Sequence, residues 1–187
     1  MIRDERPPVH ALRVFTIGHS TRAIEEFSRL LQADGITHVA DVRTVPRSRR
    51  HPHYNREALA TTLRAAGVGY THMAGLGGRR HPRPDSVNTG WQNLAFRNYA
   101  DYMETPAFAE SLEALLALAR RERVAVLCTE AVPWRCHRSL IADALAARAV
   151  AVEHIVGAMR RPHTLTPWAR VEGTRVTYPP RAARARE

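Results

Sequence analysis

The sequence contains no lysine, and all 28 residues counted as lysine or arginine are arginine. This absence excludes two kinds of chemistry. A phosphate-binding loop of the Walker type needs a lysine that reaches the phosphates, and Schiff-base catalysis needs a lysine amine. Neither mechanism is therefore open to this chain.

Cysteine is scarce and long apolar runs are missing. Two cysteines in 187 residues are too few for a disulfide scaffold, and in a reducing cytosol we expect thiols, ligands or a redox pair. No stretch approaches the roughly 18–20 consecutive apolar residues of a membrane span, and the first residues, "MIRDERPPVH", lack the charged-then-apolar order of a secretory signal. We therefore expect a cytoplasmic protein that does not associate with membranes.

The formal net charge of +10 has two explanations. Guanidinium groups bind phosphate and carboxylate oxygens in a bidentate manner, so the excess of arginine favours an anionic partner, either a small molecule or a nucleic acid. Alternatively, abundant arginine, alanine and proline without lysine reflects coding bias. The positions of the arginines are therefore more informative than their number. The sequence does not define an oligomeric state.

Alternating strand and helix patterns predict an α/β fold. The predicted strands are "LRVFTI" (12–17), "HVADV" (38–42), "GYTHM", "VAVLC" (124–128) and "AVAVEHI". Helices are predicted between the first two strands, from 56 to about 66, after Thr105-Pro106 and after Cys136. Ser20 or Thr21 is the predicted cap of the first helix, and Gly35 its end. We expect a mostly parallel sheet of about five strands with helices on both faces.

The length and the 44% apolar content fit a single domain over residues 1–187, with a core at about 12–178 and a frayed basic tail at 179–187. In such sheets, ligands bind at the carboxyl ends of the strands. Polar residues and glycines follow the predicted strands, namely His19, Ser20, Asp41, Arg43, Gly77, Gly78, Cys128 and Glu130, and then Cys136, His137 and Arg138. The sequence therefore predicts a site at this edge.

Two loops near this edge are longer than a connection needs. They carry arginines at 43, 47, 49 and 50 and at 79, 80 and 83. Long loops without their own structure are functional or disordered. We expect an arginine-lined entrance to the site, with solvated surface arginines as the alternative.

Cys136 is the better candidate for a reactive thiolate. It precedes a predicted helix, whose unpaired N–H groups and positive dipole end bind anions and lower a thiol pKa. Cys128, at the end of an apolar strand, is expected to be buried. Glu130 is a candidate general acid or base, or the salt-bridge partner of an arginine.

The two cysteines fit none of the common short motifs. They are too far apart for a C-x-x-C pair, and six residues rather than five separate Cys128 from Arg135, unlike in cysteine phosphatases. A divalent metal such as zinc or iron held by Cys128, Cys136, His137 and His19 is chemically possible.

Five ordered segments together resemble the family known as domain of unknown function 488. They are "TIGHS" (16–20), "DVRTVPRS" (41–48), "GLGG" (75–78), "AFRNYADYM" (95–103) and "CTEAVPWRCHR" (128–138). The resemblance extends from about Val14 to Thr177 and implies a compact α/β domain without an assigned reaction. Family members commonly have alanine where this chain has Thr129.

These observations favour an enzyme of the hydrolase or transferase type that acts on an anionic, phosphate-bearing substrate such as a nucleotide or nucleic-acid end. The candidate catalytic residues are Cys136, Glu130, His19, His137 and Cys128. The candidate anion-binding residues are Ser20, Asp41, Arg43, Arg138, Arg47, Gly77 and Gly78. The alternatives are a non-catalytic nucleic-acid-binding domain that uses its arginine loops, and a metal-binding or redox-sensing protein.

Overall fold

The main sheet has six strands, one more than predicted. A computed structural model describes residues 12–180. The strands are β1 (Arg13–Gly18), β2 (His38–Asp41), β3 (Gly69–His72), β4 (Val124–Cys128), β5 (Ala151–Val156) and β6 (Met159–Pro162). Their order across the sheet is β3-β2-β4-β1-β5-β6. The first five are parallel and β6 is antiparallel to β5, which confirms the predicted mostly parallel α/β fold.

Five helices cover both faces of this sheet, as predicted. They are α1 (Ile24–Ala33), α2 (Arg56–Ala65), α3 (Leu94–Met103), α4 (Pro106–Ala119) and α5 (Arg138–Ala146). Successive side chains of a strand point to opposite faces. In β1, Phe15 and Ile17 pack in the core cluster that contains α1 and α2. Val14 instead packs with α3, α4 and α5.

The start of α1 differs from the prediction. The helix begins at Ile24 after Ala23, and no side chain caps it, so the expected cap at Ser20 or Thr21 is wrong. Ser20 has a φ of 50°, and its N–H donates to the carbonyl of Thr129. Because this bond holds Ser20 against the loop after β4, α1 begins at Ile24, after the predicted cap positions. Gly35, with a φ of 61°, follows the end of α1 as expected.

Other helix boundaries follow local chemistry. Thr105 accepts a hydrogen bond from the N–H of Phe108, and Pro106 is the first residue of α4, as predicted. Asn55 precedes α2, but its side chain accepts from the N–H of Ser48 instead of capping the helix. This bond closes the arginine-rich loop that follows β2.

Three features were not predicted: α3, β6 and a separate hairpin of β7 (Arg170–Glu172) and β8 (Arg175–Thr177). The sequence of β6, "MRRP", lacks the apolar alternation by which strands are recognised. Residues 181–187 of the predicted tail lie outside the described residues. Within residues 12–180, no helix has the length and apolar composition needed to cross a membrane.

Candidate functional site

The loops after β1 and β4 are held together by backbone hydrogen bonds. The N–H of His19 donates to the carbonyl of Cys128 over 3.0 Å, and the Ser20 N–H donates to Thr129 over 2.8 Å. Gly18 permits this close approach, because a Cβ at this position would lie 1.7 Å from the carbonyl oxygen of Glu130. The carboxyl ends of β1 and β4 are thereby joined at the base of the site.

A pocket of about 280 Å³ opens at this edge, and we refer to it as the cysteine pocket. Its lining residues come from the loops after β2, β3 and β4 and from the start of α3. They are Arg43, Thr44, Val45, Gly78, Arg79, Ala95, Phe96, Cys128, Thr129, Glu130, Arg135, Cys136 and His137. Three guanidinium groups and one carboxylate therefore surround two thiols and an imidazole.

The two sulfur atoms and the imidazole of His137 form a compact cluster. The Nδ1 atom of His137 lies 3.7 Å from Cys136 Sγ and 4.0 Å from Cys128 Sγ. Both cysteines are free thiols, 4% and 8% exposed for Cys136 and Cys128 respectively. Each nevertheless contributes surface to the pocket.

The surroundings of the two thiols move their pKa values in opposite directions. A hydrogen bond from Cys128, together with His137 and the charge of Arg138, lowers the pKa of Cys136 well below its usual range despite burial. The same hydrogen bond, together with burial, raises the pKa of Cys128. These opposite shifts favour Cys136 over Cys128 as the thiolate of the pair.

Arg138 is the largest fully buried side chain, with 1% of its surface exposed. Its Nε donates to Cys136 Sγ over 3.4 Å, and its Nη2 donates to the carbonyl of Glu130. No carboxylate within residues 12–180 forms an ion pair with it. A buried charge without a counter-charge is costly, so the Cys136 thiolate is the natural counter-ion of this guanidinium.

The start of α5 contributes less to this thiolate than the sequence predicts. The N–H of Ser139 donates to the carbonyl of Cys136, and the N–H of Leu140 donates to that of His137. These amides are therefore already paired. The side chains of His137 and Arg138 contact the sulfur of Cys136 directly.

His137 is held in place by close packing. A Cβ at Gly78 would lie 2.5 Å from His137 Nδ1, so only glycine leaves room for the ring. The ring of Tyr99 lies on another side, with the ring centroids 4.9 Å apart. Because both neighbours are themselves fixed in the fold, the imidazole stays directed at the sulfurs.

Asp41 and Arg43 form a buried ion pair at the end of β2. The Arg43 Nη2 and Nε atoms donate to the carboxylate over 2.6 and 2.9 Å, and Tyr70 donates its hydroxyl to the same group. Burial disfavours the charged guanidinium, but the hydrogen bond to Asp41, the charge of Asp41 and the contact with Tyr70 together outweigh burial and raise the pKa of Arg43. Arg43 is thus a permanent, rigidly held cation in the wall of the pocket.

His19 lies behind this ion pair and not in the lining of the pocket. Its ring stacks on Tyr54 at 4.1 Å, Nδ1 donates to the carbonyl of Ser20, and Nε2 accepts from Arg43 over 3.4 Å. Burial and the nearby Arg43 charge lower the pKa of His19 to about 4. The imidazole is therefore neutral, with one tautomer fixed by its two partners.

The structure brings six of the predicted site residues into the pocket lining: Arg43, Gly78, Cys128, Glu130, Cys136 and His137. The others lie around it. Arg138 contacts the sulfur of Cys136, and Asp41 and His19 contact the guanidinium of Arg43. Ser20 and Gly77 lie in the neighbouring loops. Arg47 is exposed and does not line the pocket.

Arg79 and Arg135 complete the entrance to the pocket. Both side chains are exposed, and neither forms an ion pair within the described part of the chain. In the sequence, Arg79 is only one of several loop arginines, and Arg135 was not predicted as a site residue. Its position directly before Cys136 is the sequence feature that could have identified Arg135 as a site residue.

Three side chains could share a metal ion. The Sγ atoms of Cys128 and Cys136 and a ring nitrogen of His137 all lie within 4.8 Å of one another. His19, the fourth predicted ligand, is not part of this group, since both of its nitrogens have other partners. The described residues therefore offer three of the four ligands typical of a zinc site.

Comparison with known proteins identifies the family. The family model described as "Domain of unknown function DUF488" matches residues 23–145. This span contains both cysteines and most of the pocket but is shorter than the predicted resemblance over 14–177 and leaves out the "TIGHS" segment. No curated protein and no solved structure matches the chain. Because the match covers well over half of the 187 residues, the chain belongs to the family of domain of unknown function DUF488.

Proposed function

We infer that the cysteine pocket is the active site of a hydrolase that acts on a phosphate ester, with Cys136 as its nucleophile. The observation that carries this proposal is the buried Arg138 guanidinium, which donates to Cys136 Sγ and has no carboxylate partner within residues 12–180. A thiolate held at the wall of a pocket is a strong nucleophile. Arg79 and Arg135, which have no carboxylate partner within residues 12–180, line the same pocket beside the Arg43–Asp41 pair and suit an anionic substrate.

The reaction proceeds in two displacements. The Cys136 sulfur forms a bond to phosphorus while the bond from phosphorus to the ester oxygen breaks. The departing oxygen takes a proton from Glu130, whose side chain lines the pocket. Water then attacks phosphorus and returns a proton to Glu130, the sulfur–phosphorus bond breaks, and the thiolate is restored. The products are an alcohol and phosphate.

The other residues position these groups. His137 and Arg138 hold the thiolate, and the guanidinium groups neutralise the charge that develops on the phosphoryl oxygens. His19 is a positioning residue, because it contacts Arg43 and not the pocket. Its fixed neutral ring orients the guanidinium without adding a second charge.

The first test is the rate of alkylation of each cysteine by iodoacetamide as a function of pH, resolved by mass spectrometry. We expect Cys136 to react well below pH ~7.5, and Cys128 to remain unreactive. Inorganic phosphate should slow the reaction of Cys136 by occupying the pocket. Equal reactivity of both thiols, near the normal pH of about 8.5, would contradict the proposal.

Turnover is tested with a panel of phosphate esters and two variants. Cys136→Ser and Glu130→Gln should each abolish turnover, and Glu130→Gln should leave the alkylation of Cys136 unchanged because the carboxylate does not hold the thiolate. Glu110→Gln, an exposed change on α4, is the matched control and should retain full activity. Full turnover by either site variant would remove the assigned roles.

A metal centre is the second candidate function, and the cluster of Cys128, Cys136 and His137 within 4.8 Å favours it. Thiolate and imidazole ligands suit zinc or iron. Elemental analysis of the purified protein distinguishes the two candidates. One bound metal per chain, with cysteines that react only after chelation, supports the metal centre. A metal-free protein with a reactive Cys136 supports the nucleophile.

A further inference from the structure

A second pocket of about 280 Å³ lies beside the cysteine pocket and is lined by all three tryptophans of the chain. We refer to it as the tryptophan pocket. Trp91 and Trp168 contribute two walls, and Trp134 lies at a third. Pockets for small ligands commonly measure ~300–1,000 Å³, so this volume suits one ring system.

The aromatic walls are arranged as a stacking site. Trp91 and Trp168 meet edge to face, with ring centroids 4.9 Å apart. Trp134 is 53% exposed, which is unusual for so large an apolar side chain and leaves much of its surface open to a ligand. Aromatic rings gain free energy by stacking on such surfaces.

Arg161 adds a positive charge to the tryptophan pocket. Its guanidinium lies 5.0 Å from the centroid of the Trp134 ring. The side chain is exposed and forms no ion pair with a carboxylate of residues 12–180. A ligand that stacks on Trp134 could therefore place an anionic group against Arg161.

A chain of hydrogen bonds fixes the histidine wall of this pocket. His154 accepts from Thr16 over 2.7 Å and donates to His163 over 3.0 Å, and His163 donates to Asp143 over 2.9 Å. Tyr178 also donates to this fully buried carboxylate. Since every ring nitrogen of the two histidines has a partner, the rings contribute flat carbon surface and not free polar groups.

We propose that the tryptophan pocket binds the planar aromatic ring of an anionic ligand, with a nucleobase of a nucleotide as the class that fits. The three indole rings supply stacking surface, and Arg161 supplies the charge that complements the phosphate. Hydrogen bonds hold the histidine wall before a ligand arrives, which lowers the cost of ordering that wall on binding. This proposal does not depend on any reaction at Cys136.

Intrinsic fluorescence tests this proposal directly, because every tryptophan of the chain lines this pocket. The full chain is titrated with adenosine 5′-monophosphate, adenosine and ribose 5-phosphate. We expect saturable quenching by the first two and none by ribose 5-phosphate, which lacks the ring. Arg161→Ala should weaken binding of adenosine 5′-monophosphate by about tenfold, because a charge-assisted hydrogen bond is lost, and leave adenosine unaffected.

Two variants at the exposed Trp134 distinguish the loss of ring stacking from a general disturbance of the pocket. Trp134→Leu should weaken binding of both adenine compounds, and Trp134→Phe, which keeps an aromatic ring, should largely restore it. The remaining two tryptophans report binding in both variants. Unchanged affinity in Trp134→Leu, or no quenching by either adenine compound, would overturn the proposal. Quenching by a proline-rich peptide alone would also overturn it and assign the pocket to peptide binding.

Discussion

The two cysteines differ in the groups that surround each sulfur, and one of these groups is the buried charge of Arg138. Arg138 is 1% exposed, and its closest described anionic partner is the sulfur of Cys136 at 3.4 Å. Cys128 is equally buried but acts as a hydrogen-bond donor to that sulfur. The difference between the two thiols therefore lies in the neighbours of each sulfur and not in burial.

Replacing this charge should restore an ordinary thiol. In Arg138→Met, a side chain of similar length without charge, the pH midpoint for alkylation of Cys136 should rise by roughly 1–3 units, because a neighbouring opposite charge stabilises the ionised form by that amount. Arg138→Lys should keep the midpoint low. Arg121→Met, an exposed change outside the cysteine pocket, is the matched control. A midpoint that does not move in Arg138→Met would show that the charge is irrelevant.

Sequence reasoning selected Cys136 as the candidate nucleophile but did not predict which groups surround its sulfur. The position of Cys136 before a helix and beside His-Arg was sufficient to select it. The prediction assigned the stabilisation to the helix start, whereas the structure shows the amides of Ser139 and Leu140 already paired. The direction of the Arg138 side chain depends on the space left by Gly18 and the loop after β4, and sequence spacing alone contains no such information.

At the level of elements, one short segment forms a wall of both pockets. Within residues 133–139, Arg135, Cys136 and His137 face the cysteine pocket. Pro133, Trp134 and Ser139 face the tryptophan pocket. This segment includes a single turn of 3-10 helix, Pro133–Arg135, that leads directly into α5. A ligand in one pocket therefore contacts the same backbone that positions the groups of the other.

This shared wall predicts coupling between the pockets. Adenosine, which has no phosphate to enter the cysteine pocket, should change the alkylation rate of Cys136 by about fivefold or more, in the range of ordinary coupling between sites. The effect should disappear in Trp134→Leu, while the alkylation rate of that variant without adenosine stays unchanged. Equal alkylation rates of Cys136 with and without saturating adenosine would show that the two pockets are not coupled.

The elements themselves were predicted where the apolar pattern is strong. β1 and β4 contain runs of buried, mostly apolar residues, and α4 has both a capping threonine and an initial proline. The elements that form the tryptophan pocket lacked such signals. Its wall after β6 is a polar, proline-containing segment, and its aromatic residues come from three distant parts of the sequence. Only the tertiary structure brings them together.

At the scale of the whole molecule, two buried neutral histidines link folding stability to pH. Burial lowers the pKa of His19 to about 4 and that of His154 to about 3. The unfolded chain binds a proton at each of them below about pH 6.5, while the folded chain does not. Their contribution to stability is therefore complete above about pH 6.5 and is lost as the pH falls toward the folded pKa values.

The free energy of unfolding should consequently decrease as the pH falls from about 6.5 to about 4, by up to ~1.4 kcal/mol per unit for each histidine. Urea unfolding at several pH values measures this slope. His154→Gln, which keeps a donor toward His163, should lower stability near neutral pH but make the slope shallower. His81→Gln is the control at an exposed position. If His154→Gln leaves the dependence of the unfolding free energy on pH unchanged, His154 does not contribute to that dependence.

The strand order limits when β1 can pair with its neighbours as the chain grows. β1 and β2 do not pair with each other, because β4 lies between them and pairs with both. A growing chain that has not yet reached Val124 has no partner for β1, since both of its neighbours come later in the sequence. Insertion of β4 joins β1 to β2 and brings Cys128 to the pocket in the same step. Chains that end before β4 therefore lack both the link between β1 and β2 and the cysteines that line the pocket.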